Sequence, residues 1–193
     1  MKNFSALLFN YRSYTPIPFF IVMIFFANST PLSLVIGFGM ALLGEFFRFW
    51  GVSYAGSETR TTGSVGGTYL VISGAFGHLR NPLYLGNILL YMGVGVMSNA
   101  LFPYLQIGAF FFFYMQYYFI INEEEKYLRD TFKEHYENYY KAVPRLLPRF
   151  TAYKNDNVEQ PTYQIKAAFK SERRTLQALS FVTIVLIILY IGF

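Results

Sequence analysis

The sequence predicts an all-α, polytopic membrane protein with about five transmembrane helices. Three observations carry that prediction. Hydrophobic residues make up 54% of the 193 residues and charged residues only 14%, too apolar for an ordinary soluble domain of this size. Residues 13–44, 83–121 and 175–193 contain no Asp, Glu, Lys or Arg, and a helix crossing a bilayer needs about 20 apolar residues at a rise of ~1.5 Å each. The segments between these stretches are alternately basic and uncharged, the pattern of loops lying on alternate faces of a membrane.

Each element follows in order. Span 1 covers about 15–28 and is short, with Pro16 and Pro18 at its start. Asn28-Ser29-Thr30-Pro31 is a turn, so the first uncharged stretch divides and span 2 runs over 32–50. Glu45 and Arg48 end it three residues apart, spaced to pair on one helix face, and Trp50 suits an interfacial anchor. Residues 56–67 form a small polar loop that lacks the Gly-Lys-Ser/Thr ending of a phosphate-binding loop. Thr68 to Ile72 is a β-branched and aromatic run, read as an extended piece or a half-helix at the interface. Ser98-Asn99 and Pro103 divide the second uncharged stretch into spans 83–99 and 103–121.

Beyond Asn122 the chain becomes a charged amphipathic helix, with Tyr127, Leu128, Phe132, Tyr136 and Tyr139 at helical spacing. Glu125 precedes Arg129 by four and Lys133 precedes Glu137 by four, pairs that suit an exposed face. Val143-Pro144 ends this helix. Residues 151–162 are a polar linker, Ile165 to Lys170 begin another helix, and span 5 covers 175–193. No signal peptide is expected, because no small-residue cleavage site follows the first apolar stretch.

Charge sets the expected orientation. Lys2 and Arg12, then Arg60 and Arg80, then the many basic residues of 122–174 fall in alternate connections, so the N-terminus and these segments are expected in the cytoplasm. The net charge of +5 reads as orientation and contact with anionic membrane lipids, not nucleic-acid binding. The absence of cysteine removes disulfides, thiolate metal sites and cysteine nucleophiles. No His, Asp or Glu spacing suggests a metal site, and His135 is read as solvated.

The chemistry is expected where Ser73–Gly86 meets Glu123-Glu124-Glu125 on one face of the bilayer. Gly74, Gly77 and Gly86 permit close backbone approach to a ligand. Arg80 offers a cationic fork for a carboxylate or phosphate, and Tyr69, Phe76 and Tyr84 offer flat surfaces for a heteroaromatic ring. Glu124 offers an acceptor for an amine or a ribose hydroxyl, and Glu125 is expected to pair with Arg129 on the outer face. A ligand with a carboxylate, a nucleoside and a positive centre suits these parts, and S-adenosyl-L-methionine has all three. His78 is read as bonding backbone within the loop.

Two ordered motifs carry a resemblance. The first is Leu70-Val71-Ile72-Ser73-Gly74-Ala75-Phe76-Gly77-His78-Leu79-Arg80-Asn81-Pro82-Leu83-Tyr84-Leu85-Gly86. The second is Glu124-Glu125-Lys126-Tyr127-Leu128, then Phe132-Lys133, Tyr136, Tyr139 and Val143-Pro144. Together, over roughly residues 40–148, they resemble the isoprenylcysteine carboxyl methyltransferase family of integral membrane methyltransferases, related to the phospholipid methyltransferases.

The resemblance implies one membrane methyltransferase domain over 1–193, with a linker and an extra span at 151–193 outside the family core. It implies a cytosolic S-adenosyl-L-methionine pocket, roofed by the amphipathic helix, that yields S-adenosyl-L-homocysteine. The acceptor is a lipophilic molecule entering from the membrane: an isoprenylcysteine-like carboxylate, a lipid amine or a thiol. By position, Thr68, Tyr69, Leu70, Val71, Phe76, Asn81, Pro82, Leu83, Tyr84 and Glu124 match the family's cofactor contacts, and Arg80 and Glu124 are the catalytic candidates. The membrane implied is the bacterial inner membrane or the endoplasmic reticulum.

The chain departs from the family at four places. Asn81 replaces a histidine, Phe76 a tyrosine, Lys133 a glycine, and Ile120 stands where the prenylcysteine enzymes have a substrate arginine. An NADPH-dependent membrane reductase of the sterol reductase type carries a similar arginine motif, with glutamate where Asn87 stands here. A non-enzymatic membrane scaffold is the third reading.

Overall fold

The computed structural model describes residues 2–56 and 69–192. Its elements are α1 (Lys2–Tyr11), α2 (Pro16–Phe25), α3 (Pro31–Ala55), a 3-10 turn (Gly74–Gly77), α4 (Pro82–Ser98), α5 (Tyr104–Ala142) and α6 (Ile165–Gly192), with no strand among the described residues. Thr68, Arg60 and most of the polar loop at 56–67 lie outside the described residues.

Among the described residues, three helices, α3, α5 and α6, are long and apolar enough to cross a membrane. The expected five spans thus reduce to three of full length. The other two apolar helices, α2 with 10 residues and α4 with 17, are shorter. At the helical rise they measure about 15 Å and about 26 Å, against a hydrocarbon core of ~30 Å. Helix α1 has no counterpart among the predicted elements, yet Leu8 and Phe9 on it pack against a core of Ile88, Phe113 and Tyr117.

Local chemistry fixes the ends. Thr30 caps α3 through a reciprocal pair, in which its hydroxyl accepts from the Ser33 amide at 3.1 Å and its amide donates to the Ser33 hydroxyl at 2.9 Å. Proline stands in the first turn of α2, α3 and α4, where a missing N–H costs nothing. Asn99, in the left-handed conformation at φ 49°, ends α4.

Helices α3 and α4 run antiparallel in close contact. A Cβ on Gly44 would lie 2.5 Å from the Gly86 carbonyl oxygen, and one on Gly93 would lie 2.5 Å from the Ala41 amide. Small residues at 37, 41 and 44 therefore form the seam against Gly86 and Gly93, with Gly51 against Pro82 and Leu83, the close approach that lets membrane helices associate by packing alone. The Gly86 backbone meets Arg48 and Gly44 rather than a ligand, which corrects its expected role.

The connections sort to two ends, as the charge alternation predicts. At the uncharged end the Asn28 amide donates to the Ser98 carbonyl at 2.8 Å, and the Asn99 side chain donates to the Asn28 carbonyl at 3.0 Å. At the charged end the Arg80 amide donates to the Pro144 carbonyl at 2.9 Å, and the Gln164 amide to the Ser53 carbonyl at 2.7 Å.

Helix α5 joins the predicted span 103–121 and the predicted charged helix into one element of 39 residues. Its uncharged part ends at Ile121, and the ten charged residues of 122–142 lie beyond the span. Lys133 breaks the helical backbone at φ 46°, ψ −118°. That conformation is one that glycine adopts without penalty, a direct reason for glycine at this place in the family pattern. Helix α6 likewise runs unbroken from Ile165 through the predicted fifth span.

Candidate functional site

The segment after Tyr69 is not helical, and its backbone is extended at Ser73, with φ −93° and ψ 166°. Leu70 and Ile72 alternate inward onto Tyr136, Tyr139 and Val143 beyond the α5 span. Gly74 then takes φ +56°, with the Tyr54 ring in the space a side chain would need, so that glycine packs against protein. The Tyr139 hydroxyl donates to the Phe76 carbonyl at 2.8 Å, and His78 Nδ1 lies 2.8 Å from the Arg149 carbonyl, the backbone bond expected of it.

Arg80 is held on several sides. Its Nε donates to Glu125 Oε1 at 2.9 Å, its Nη1 donates to the carbonyls of Tyr140 and Val143, and its guanidinium lies 4.1 Å from the centre of the Tyr140 ring. Glu125 also pairs with Arg145 and accepts from the Asn81 side chain at 3.5 Å. The expected Glu125–Arg129 pair does not form. Glu125 is only 5% exposed and faces inward, while Arg129 pairs with Glu137 at 3.0 Å. The physical reason is competition, since two guanidiniums, one of them almost fully buried, outweigh one on an exposed helix face.

Glu124, one residue earlier, points elsewhere. It accepts from the Tyr84 hydroxyl at 2.6 Å, and the Tyr84 ring packs 4.9 Å from that of Tyr117. Burial raises the Glu124 carboxyl to about 7, against the lowering pull of the Tyr84 bond and of Arg12. Adjacent glutamates on one helix thus take different roles because successive side chains point about 100° apart.

A second charged cluster lies deeper, where α3, α4 and α6 meet. Arg48 keeps its predicted partner Glu45 at 3.4 Å, and in addition donates to Glu172 of α6 and to Asn87 of α4. Glu172 is 1% exposed. Nothing in the pattern of Glu45 and Arg48 pointed to α6. The signal was available, because an acid three residues before an uncharged spanning run is expensive unless it has a partner.

Both clusters face one cavity of about 850 Å³. Among the predicted site residues that are described, Tyr69, Leu70, Val71, Phe76, Arg80, Asn81, Pro82, Leu83, Tyr84 and Glu124 all line it. Arg48, which the sequence paired with Glu45, lines it as well, as do Arg12, Asn87, Tyr91, Tyr117, Glu172 and Thr175, which were missed as site residues. Beyond them the lining turns apolar, with Phe20, Leu90, Val94, Ala178, Leu179 and Val182. Ile120, in place of the arginine of the prenylcysteine enzymes, is 1% exposed and packs in the core with Phe113 and Tyr117.

The cavity therefore joins a mouth of aromatic rings and charges to an apolar end between helices. Such a shape receives a molecule with a polar part and a lipophilic part, or two molecules that meet end to end. The phospholipid methyltransferase family model matches residues 32–135, more than half of the chain. No curated protein and no solved structure matches. The chain belongs to the phospholipid methyltransferase family and is a membrane methyltransferase.

Proposed function

We propose that this member of the phospholipid methyltransferase family moves the methyl group of S-adenosyl-L-methionine to a lipophilic acceptor, leaving S-adenosyl-L-homocysteine. The observation that supports this reading is one continuous cavity, polar and aromatic at the charged end of the bundle and apolar between α2, α4 and α6. Its volume of about 850 Å³ lies high in the roughly 300–1,000 Å³ range of small-molecule sites, room enough for donor and acceptor together.

The mouth fits the donor's chemistry. Tyr69, Phe76 and Tyr84 offer the faces for an adenine, with the backbone of 70–71 and 81–83 beside them. Arg80 Nη2 makes no hydrogen bond among the described residues and is the donor left for a carboxylate. When bound, S-adenosyl-L-methionine supplies a methyl group already activated on a sulfonium, so the protein's work is positioning and exclusion of water. Glu124 sits near neutrality and takes the proton that an amine acceptor must lose. For a carboxylate or thiolate acceptor that proton is absent, and Glu124 serves as a hydrogen-bond acceptor.

Orientation follows from charge. The basic segments share one end of the bundle, and the positive-inside rule puts that end, with the mouth, in the cytoplasm.

Calorimetry of S-adenosyl-L-homocysteine in detergent tests the donor site. Arg80→Ala and Glu124→Ala are expected to weaken binding by tenfold or more, and wild-type affinity in both would sink the assignment. Incubation of the protein and native lipids with methyl-labelled S-adenosyl-L-methionine then shows which lipid class takes the label. A thermal shift with NADPH in place of one with S-adenosyl-L-homocysteine would favour the reductase reading.

A further inference from the structure

The linker between α5 and α6, outside the family-matched residues, carries a side chain hydrogen-bonded to the wall of the donor mouth. Gln160 Oε1 accepts from the Ile72 amide at 2.8 Å and from the Ser73 amide at 3.0 Å. Its Nε2 donates to the Leu70 carbonyl at 2.9 Å, and also to the carbonyls of Val158 and Glu159 at 3.3 Å and 3.1 Å. The amide orientation is dictated by these partners, since two donors face one end and three acceptors the other.

Residues 70–73 need such a partner. They lie outside helix and strand, so their backbone groups have no ladder to satisfy them. Leu70 and Ile72 are anchored by apolar packing on α5, which fixes their side chains without satisfying their polar backbone. Gln160 satisfies three of these groups, the Ile72 and Ser73 amides and the Leu70 carbonyl, and acts as a surrogate strand edge. Val158 packs into the same cluster and helps bring Gln160 to this position. Further along, Tyr153 donates its amide to the Gly77 carbonyl at 2.8 Å, so the linker meets the segment at both ends.

We infer that Gln160 is a positioning residue for the methyl donor: it holds the backbone of 70–73 in the one conformation that presents Leu70 and Val71 to the cavity mouth. The inference rests on the donor reading above. It makes donor affinity in this chain depend on a linker that the family-matched region does not contain.

Two variants of the full chain in detergent test it, with S-adenosyl-L-homocysteine as the probe. Gln160→Leu keeps the approximate volume and removes every hydrogen bond. It is expected to raise the dissociation constant about tenfold and to speed amide exchange at Ile72 and Ser73, with α3 and α4 as protected as before. Gln160→Glu keeps the two accepting bonds but turns its second oxygen, in place of a donor, onto three carbonyls, and is expected to lose less affinity than Gln160→Leu and to preserve more protection at Ile72 and Ser73. Wild-type affinity in Gln160→Leu overturns the inference. So does a rise in exchange spread evenly over α3 and α4, which would mark Gln160 as a general stabiliser, or an equal loss of affinity in both variants. Failure of the wild-type chain to bind the probe overturns the donor reading instead.

Discussion

Two largely buried arginines face the same cavity and are held in opposite ways. Arg80 lies in the recognisable motif, and its partners are Glu125 and two carbonyls at the end of α5, with Arg145 sharing the carboxylate. Arg48 lies in no motif, and its partners come from three helices: Glu45 on its own, Asn87 on α4 and Glu172 on α6. The first cluster closes a turn over the mouth. The second ties helices together lower in the wall. A motif arginine is therefore not by default the ligand's arginine, because its motif also has to build the site.

The largest expected effect breaks the Arg80 half. Glu125→Ala leaves two guanidiniums, one of them almost fully buried, without their carboxylate, and such a loss typically costs about 3–5 kcal/mol. Unfolding in a detergent titration should show it, together with loss of S-adenosyl-L-homocysteine binding.

Glu172→Ala breaks the Arg48 half and should cost less, about 2 kcal/mol, because Glu45 remains 3.4 Å from the guanidinium. The signature that separates the halves is local: proteolysis or exchange should loosen α6 first and spare the Arg80 turn. Equal loosening of both would show that the two clusters act as one.

A third measurement sharpens the contrast between Glu124 and Glu125. Glu124 releases its proton as pH rises through about 7, so transfer to an amine should increase through that pH and level off above it. Below it the rate should fall about tenfold per pH unit, and Glu124→Gln should abolish the dependence. A profile that ignores Glu124→Gln would take the general-base role away from it.

The smallest effect concerns the roof that Arg80 holds. Lys133 sits at φ 46°, ψ −118° between Glu125 and the carbonyls that accept from Arg80. Lys133→Gly relieves that strain and should stabilise the protein by about 1 kcal/mol, read as a raised unfolding midpoint. A destabilised variant would mean that the lysine side chain compensates elsewhere.

The fold was largely legible in the sequence where solvent alone decides. Uncharged stretches, prolines and the Asn28 and Asn99 turns place α3, α4 and α5 within a few residues of their observed ends. The glycine seam was not read, since glycine spacing marks close contact only once a partner helix is known. The mouth residues were legible through their motif, which places them on one short segment. Arg48's partner on α6 and Gln160's grip on residues 70–73 were not, since each joins positions far apart in the chain.

By itself the sequence determined a helical membrane protein and the sorting of its charged segments to one end, because hydropathy and local turn chemistry act over a few residues at a time. The residues of the mouth came from the resemblance of their motif to a family. The tertiary structure alone decided which carboxylate each arginine takes, that Glu124 accepts from Tyr84 while Glu125 is shared by Arg80 and Arg145, and that the linker braces the mouth. Those choices depend on desolvation and on three-dimensional competition among partners, and neither is written in sequence spacing.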